Sequence, residues 1–191
     1  MKIWTSQHTF DHPWESVVNA QFQKYPNPFL TDVLAIDVVN RSIDTNGILK
    51  SQRILSSKFF FTIPSILQKI VPMNQTVQYA VENSEVNIKE KTCTMRSQNI
   101  TFDSILSMDE IMVYSPHPTD KSKTILKKEI TLEGPLSSFV KNEVTKVVTK
   151  NTEKGKEAMN WVIDLNKKGC TDLRKEFQKR VDSVILPCPS N

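Results

Sequence analysis

The chain has 191 residues, 38% of them apolar and 24% charged, with 25 Lys and Arg against 21 Asp and Glu. That suffices for one domain with a buried core, and a net charge of +4 is too small and too scattered to indicate nucleic acid, although it suits an anionic partner such as a lipid phosphate. No run approaches the ~20 apolar residues of a membrane span, and the three cysteines, Cys93, Cys170 and Cys188, are too scattered for a disulfide framework or a tetrahedral zinc site.

Residues 3–10, IWTSQHTF, read as a strand. DHPWESVVNAQFQKY follows as a helix, with Asp11 as its cap, Pro13 in its first turn and Val17, Val18, Ala20 and Phe22 further along. Pro26 and Pro28 in YPNP stop it, because each biases its predecessor away from the helical region. DVLAIDVVNRSI alternates Leu34, Ile36 and Val38 with other residues, DTNG at 44–47 makes a turn and ILKSQRILS returns, which is a hairpin. In the stretch after it, Phe59, Phe60 and Phe61 fit neither the two-residue strand period nor the helical one, so at least one ring must face away from its neighbours. Further strands are expected at 76–86, 91–102, 108–115 and 124–133, joined by connections short enough only for antiparallel neighbours.

After Gly134 and Pro135 the pattern turns helical to about residue 166, with Gly155 its weak spot. CTDLRKEFQKRVDSVI is a second helical candidate and PCPSN a frayed tail. The expected class is α+β: an antiparallel sheet of about seven strands with a long C-terminal helix laid across it. One domain spans 1–166, and 167–191 form a C-terminal extension. The N-terminus MKIWTSQHTFDHPWE has neither the apolar stretch of a secretory signal nor the arginines of a mitochondrial presequence. The sequons at Asn40, Asn74 and Asn99 are therefore read as chance matches, and the chain as soluble when made.

At ~100° per residue, Leu136, Val140, Val144, Val147, Ala158, Val162 and Leu165 share one side of the long helix, with Val148 close by. Asn151 and Lys154 fall inside that apolar stripe. A lysine in an apolar interior needs an anion or water beside it; alternatively Lys154 snorkels to solvent while Asn151 bonds a sheet carbonyl. Arg53 poses the same question, since strand alternation sets it on one face with Leu49 and Leu55; the alternative is an exposed arginine. No nucleophile elbow, His-Glu-x-x-His, glycine-rich phosphate loop or paired-cysteine motif is present. His8, His12 and His117 form no ligand cluster, and Asp109 and Glu110, adjacent on a strand, point to opposite faces. The sequence supports neither an enzyme nor a metal or cofactor site.

The blocks FDHPWE at 10–15, KYPNP at 24–28, YSPHP at 114–118 and KGKEAMNWVI at 154–163 resemble the PRELI/MSF1 domain family, its slowmo-like branch above all, over residues 1 to about 166. The resemblance implies a lipid carrier of the mitochondrial intermembrane space with a fold like the phosphatidylinositol-transfer and START-type domains, a curved sheet closed by the long helix around a phospholipid cavity. It implies phosphatidylserine as cargo, moved between outer and inner membranes, with phosphatidic acid, carried by the PRELI-like cousins, as the alternative. A non-transporting interaction subunit is the other alternative. It further implies transient peripheral contact with mitochondrial membranes and a heterodimer with a small helical twin Cys-x9-Cys protein. Lys24, Arg53, Asn151 and Lys154 fall at the family's head-group positions. Val147 and Asp32 stand where the cousins have lysine and histidine, which lowers the positive charge there. The segment 56–72 matches the family's lid over the cavity mouth, so Phe59, Phe60, Phe61 and Ile63 are expected to plug the cavity or enter the bilayer interface while Lys58 and Lys69 meet anionic head groups.

Overall fold

Strands built from alternating inward and outward side chains give a single antiparallel sheet in this computed structural model, which describes residues 1–58, 77–135, 138–169 and 175–180, without the side chains of 138–141 and 143. Phe59, Phe60, Phe61, Ile63 and Lys69 lie outside the described residues, as do Leu136, the side chain of Val140 and the tail beyond residue 180. The elements run β1 (Lys2–Phe10), α1 (Trp14–Phe22), β2 (Val33–Ile43), β3 (Leu49–Lys58), β4 (Val77–Asn87), β5 (Thr92–Asn99), β6 (Ser107–Pro116), β7 (Thr124–Glu133) and α2 (Ser138–Lys167). The seven strands are ordered β1-β7-β6-β5-β4-β3-β2, so the N-terminal strand closes the meander by pairing with the last.

One local expectation is corrected. Asp11 does not cap α1: Pro13 is the N-cap residue, no side chain caps the helix, and the Pro13 carbonyl accepts from the Ser16 and Val17 amides. Asp11 instead pairs with Lys123 at 3.1 Å. The expected hairpin is present as β2 paired antiparallel with β3; β2 is an edge strand broken by bulges at Val33/Ala35 and Val38/Asn40, and Leu34 and Val38 are about half exposed.

Among the described residues the core is two clusters. One joins α1 and the C-terminal half of α2 to the sheet through Phe10, Trp14, Val17, Met112, Tyr114, Leu126, Met159, Val162 and Ile163. The other gathers Ile130, Leu132 and Val144, with Trp4, Met108 and Val148 packed against it. α2 therefore presses apolar side chains onto the sheet at both halves of its length and polar ones between them.

Glycine is needed where β7 leaves the sheet: Gly134 has φ +132, and a Cβ there would stand 2.3 Å from the Ile105 carbonyl oxygen. At the other end of α2, residues 175–180 are helical, and Phe177 stacks on Trp161 with ring centroids 6.1 Å apart. Part of the C-terminal extension thus docks on the long helix.

Candidate functional site

Between the two apolar clusters lies a partly enclosed cavity of about 200 Å³. Its floor is the inner face of the sheet. Strand register puts Arg53 opposite Glu82, Glu82 opposite Ser97, and Ser97 opposite Glu110, so a polar row crosses four strands at one level of an otherwise apolar face. Its roof is the middle of α2, where Val147, Val148, Asn151, Thr152, Lys154, Gly155, Lys156 and Met159 face the hollow. Its third wall is the end of α1 and the turn beyond it, with Gln21, Lys24 and Tyr25, followed by Phe29, Leu30 and Asp32.

The turn KYPNP is held against α2 by Asn27, whose side-chain amide donates to the Ala158 carbonyl at 3.2 Å while its own oxygen accepts from the Phe29 amide at 3.0 Å. Because α1 is fixed by the same cluster that holds Met159 and Val162, this block sets the distance between Lys24 and the roof. Asn27 is the structural content of a motif that the sequence offered only as a likeness.

Charge is distributed unevenly around the hollow. Arg53 and Glu82, both with side chains at most 5% exposed, form a buried pair in which the guanidinium Nε donates to Glu82 Oε1 at 2.8 Å and the cation rests 5.2 Å from the Phe22 ring centroid. Glu110 pairs with Lys128, whose ammonium also donates to Thr152 Oγ1 at 3.0 Å. Lys156 reaches out to the exposed Glu153 at 2.7 Å. Both floor carboxylates are thereby neutralised. Among the described residues, Lys24 and Lys154 line the cavity without an ion-pair partner, and so does Asp32.

Lys24 is half-buried: protein surrounds it while its side chain borders the hollow, and its ammonium stands 5.0 Å from the centroid of the Tyr25 ring. Burial lowers its pKa below the ordinary lysine value of 10.5; Glu82 and Glu110 oppose that shift and Arg53 adds to it. An anion entering the cavity would oppose that shift, because it favours the charged form.

The structure thus brings three of the four expected head-group residues, Lys24, Asn151 and Lys154, to one cavity wall system. Arg53 lies behind that wall, committed to Glu82 and not exposed. Lys58 is exposed at the end of β3, where its backbone amide donates to the Asp32 carbonyl at 2.7 Å. Sequence reasoning missed Gln21, which is fully buried, lines the cavity and has neither amide atom hydrogen-bonded. The signal was available, since Gln21 lies four residues after Val17 and three after Val18 on the buried face of α1. It also missed Glu82 and Glu110 as counter-charges, because their pairing depends on strand register. Among the described residues there is no cluster of metal-ligating side chains, and no helix is long and apolar enough to cross a membrane.

Residues 15–169 match the PRELI-like family. A UPS-like protein of Schizosaccharomyces pombe is 32% identical over 169 residues, covering 86% of this chain and 90% of that protein. Protein slowmo homolog of Dictyostelium discoideum is 29% identical, covering 94% and 79%. Protein UPS2, mitochondrial, of Saccharomyces cerevisiae is 28% identical, covering 96% and 79%. Among solved structures, a Thermus thermophilus protein superposes with TM-score 0.55 at 14% identity, covering 85% of this chain and 97% of that one. The Zhui aromatase/cyclase of a Streptomyces species gives TM-score 0.52 at 9% identity, covering 85% and 93%. These likenesses show the fold alone, a START-like curved sheet with a C-terminal helix across its hollow face.

Proposed function

The chain belongs to the PRELI-like family, and from that premise we propose that it is a non-enzymatic phospholipid carrier of the mitochondrial intermembrane space, with phosphatidylserine as cargo. The mitochondrial assignment is supported by the similarity to yeast UPS2, itself named as mitochondrial. The observation that carries the reading is a hollow between two apolar clusters, walled by two lysines without ion-pair partners among the described residues and by Asn151.

A diacyl phospholipid exposes about 30 methylenes, and at ~0.8 kcal/mol each its bare passage through water would cost on the order of 24 kcal/mol. An apolar sleeve removes that barrier. The phosphate needs charge-assisted donors, and the wall offers Lys24 and Lys154 because Glu82 and Glu110 are already matched by Arg53 and Lys128. Asp32 favours the serine head group: it lines the same cavity, and a carboxylate there can take the ammonium that phosphatidic acid lacks.

Membrane contact is assigned to Lys58, Phe59, Phe60, Phe61, Ile63 and Lys69, and stability in the compartment to a small helical twin Cys-x9-Cys partner, both on the family resemblance. Transfer between donor and acceptor vesicles tests the function. Phosphatidylserine should move at a rate proportional to protein concentration and faster than phosphatidic acid. Equal rates would remove the role given to Asp32, and no transfer of either lipid would leave the chain an interaction subunit.

A further inference from the structure

The cavity wall holds one polar side chain that the head-group reading does not use. Gln21 has no exposed surface, yet both its amide nitrogen and its amide oxygen lack a hydrogen-bond partner. A buried carboxamide is normally satisfied, and an orphaned one calls for a reason. Packing does not supply one, because its helix neighbours Val17, Val18 and Ala20 fill the same buried face with apolar groups. Gln21 is among the residues that line the hollow, as are Phe10, Met112 and Tyr114, so a molecule that enters is in place to supply the missing partner.

Its position says which part of a ligand that is. Gln21 sits in the last turn of α1 and Lys24 just past its C-cap Gln23, and both border the same cavity. If the half-buried Lys24 meets the phosphate, the fully buried Gln21 lies deeper, beside the apolar residues that take the acyl chains. In a diacyl glycerophospholipid the groups found at that depth are the two ester linkages, whose carbonyl oxygens are acceptors only and match the Nε2 donor. We infer that Gln21 forms an ester-linkage subsite, in which its amide N–H donates to an acyl ester carbonyl, so that the cavity distinguishes ester-linked from ether-linked phospholipids. This inference rests on the phospholipid-carrier reading and adds to it a selectivity below the head group.

The test compares vesicle-to-vesicle transfer of diacyl phosphatidylserine with that of its dialkyl ether analogue, which has the same head group and chain length but no carbonyls. The wild-type protein should favour the diacyl lipid by about tenfold, the value of one hydrogen bond to a buried donor. In Gln21→Leu the ratio should fall to near one. Gln21→Met, closer in volume, serves the same purpose if the leucine variant does not fold. The melting temperature of the lipid-free variant should also rise, since an unsatisfied buried amide has been removed. Equal transfer of both lipids by the wild type overturns the inference while leaving the carrier reading intact, as does a preference that survives both substitutions. Transfer of neither lipid overturns both together.

Discussion

Replacing Glu82 by Gln removes a charge without changing shape, and it separates a structural from a ligand-binding role for Arg53. The two side chains are 3% and 5% exposed, so neither charge is shared with solvent. Arg53 could still donate to the glutamine oxygen and would keep its contact with the Phe22 ring, at 5.2 Å, but its charge would have no counter-charge. Breaking such a pair from one side costs about 3–5 kcal/mol, against a total stability of about 5–15 kcal/mol for a domain. With a urea slope of ~2 kcal/mol/M, the unfolding midpoint should drop by roughly 2 M. Removing both partners, as in the double variant Arg53→Met with Glu82→Leu, should restore most of the loss, because no isolated charge is left buried. Refolded double variant should still transfer phosphatidylserine, since Arg53 is committed to the sheet. A Glu82→Gln midpoint close to wild type would refute the energetic argument. A stable double variant that no longer transfers lipid would return Arg53 to the head group.

Three further outcomes follow from the same geometry. Gly155 sits in α2 over the cavity with nothing within 4 Å of an added Cβ, so Gly155→Ala should stabilise the lipid-free protein by about 0.5–1 kcal/mol in urea unfolding, whereas Gly155→Leu should fill the hollow and lower transfer. Because burial holds the Lys24 pKa below its unfolded value, raising the pH through that lowered pKa strips the ammonium in the folded state first. Affinity for anionic lipid should then fall below the usual lysine range while the contribution of this group to folding stability rises, and Lys24→Arg, which stays charged, should abolish the fall in affinity measured across that window. Cys93 is fully buried, and burial pushes its thiol up to about 12, so alkylation of the native protein at neutral pH should spare it until urea unfolds the chain.

How much of this could be read without coordinates depends on whether the determining contacts are local. The polar break at Asn151 and Lys154 was legible because helical geometry alone fixes which side chains share a face, and the cavity lies where that break meets the sheet. β7 begins and ends where its sequence pattern does, at 124 and 133. Alternation put Arg53 on one face with Leu49 and Leu55 but left open whether that face is covered, and its partner stands 29 residues later, set by the β3–β4 register. The same holds for Lys128 and Glu110, which meet only because β6 and β7 pair. The β2–β3 hairpin was legible from alternation and the DTNG turn, but alternation says which face a residue takes and not whether anything covers that face; the sheet edge leaves Leu34 and Val38 half exposed.

The most direct measurement of the central claim is native mass spectrometry of the purified protein offered mixed phospholipid vesicles, run beside a variant carrying Lys24→Glu and Lys154→Glu. The account predicts one anionic glycerophospholipid per wild-type chain, and none on the charge-reversed chain although its circular dichroism and melting curve are those of a folded protein. A wild-type chain that emerges lipid-free, or a reversed variant that holds as much anionic lipid as the wild type, would contradict it.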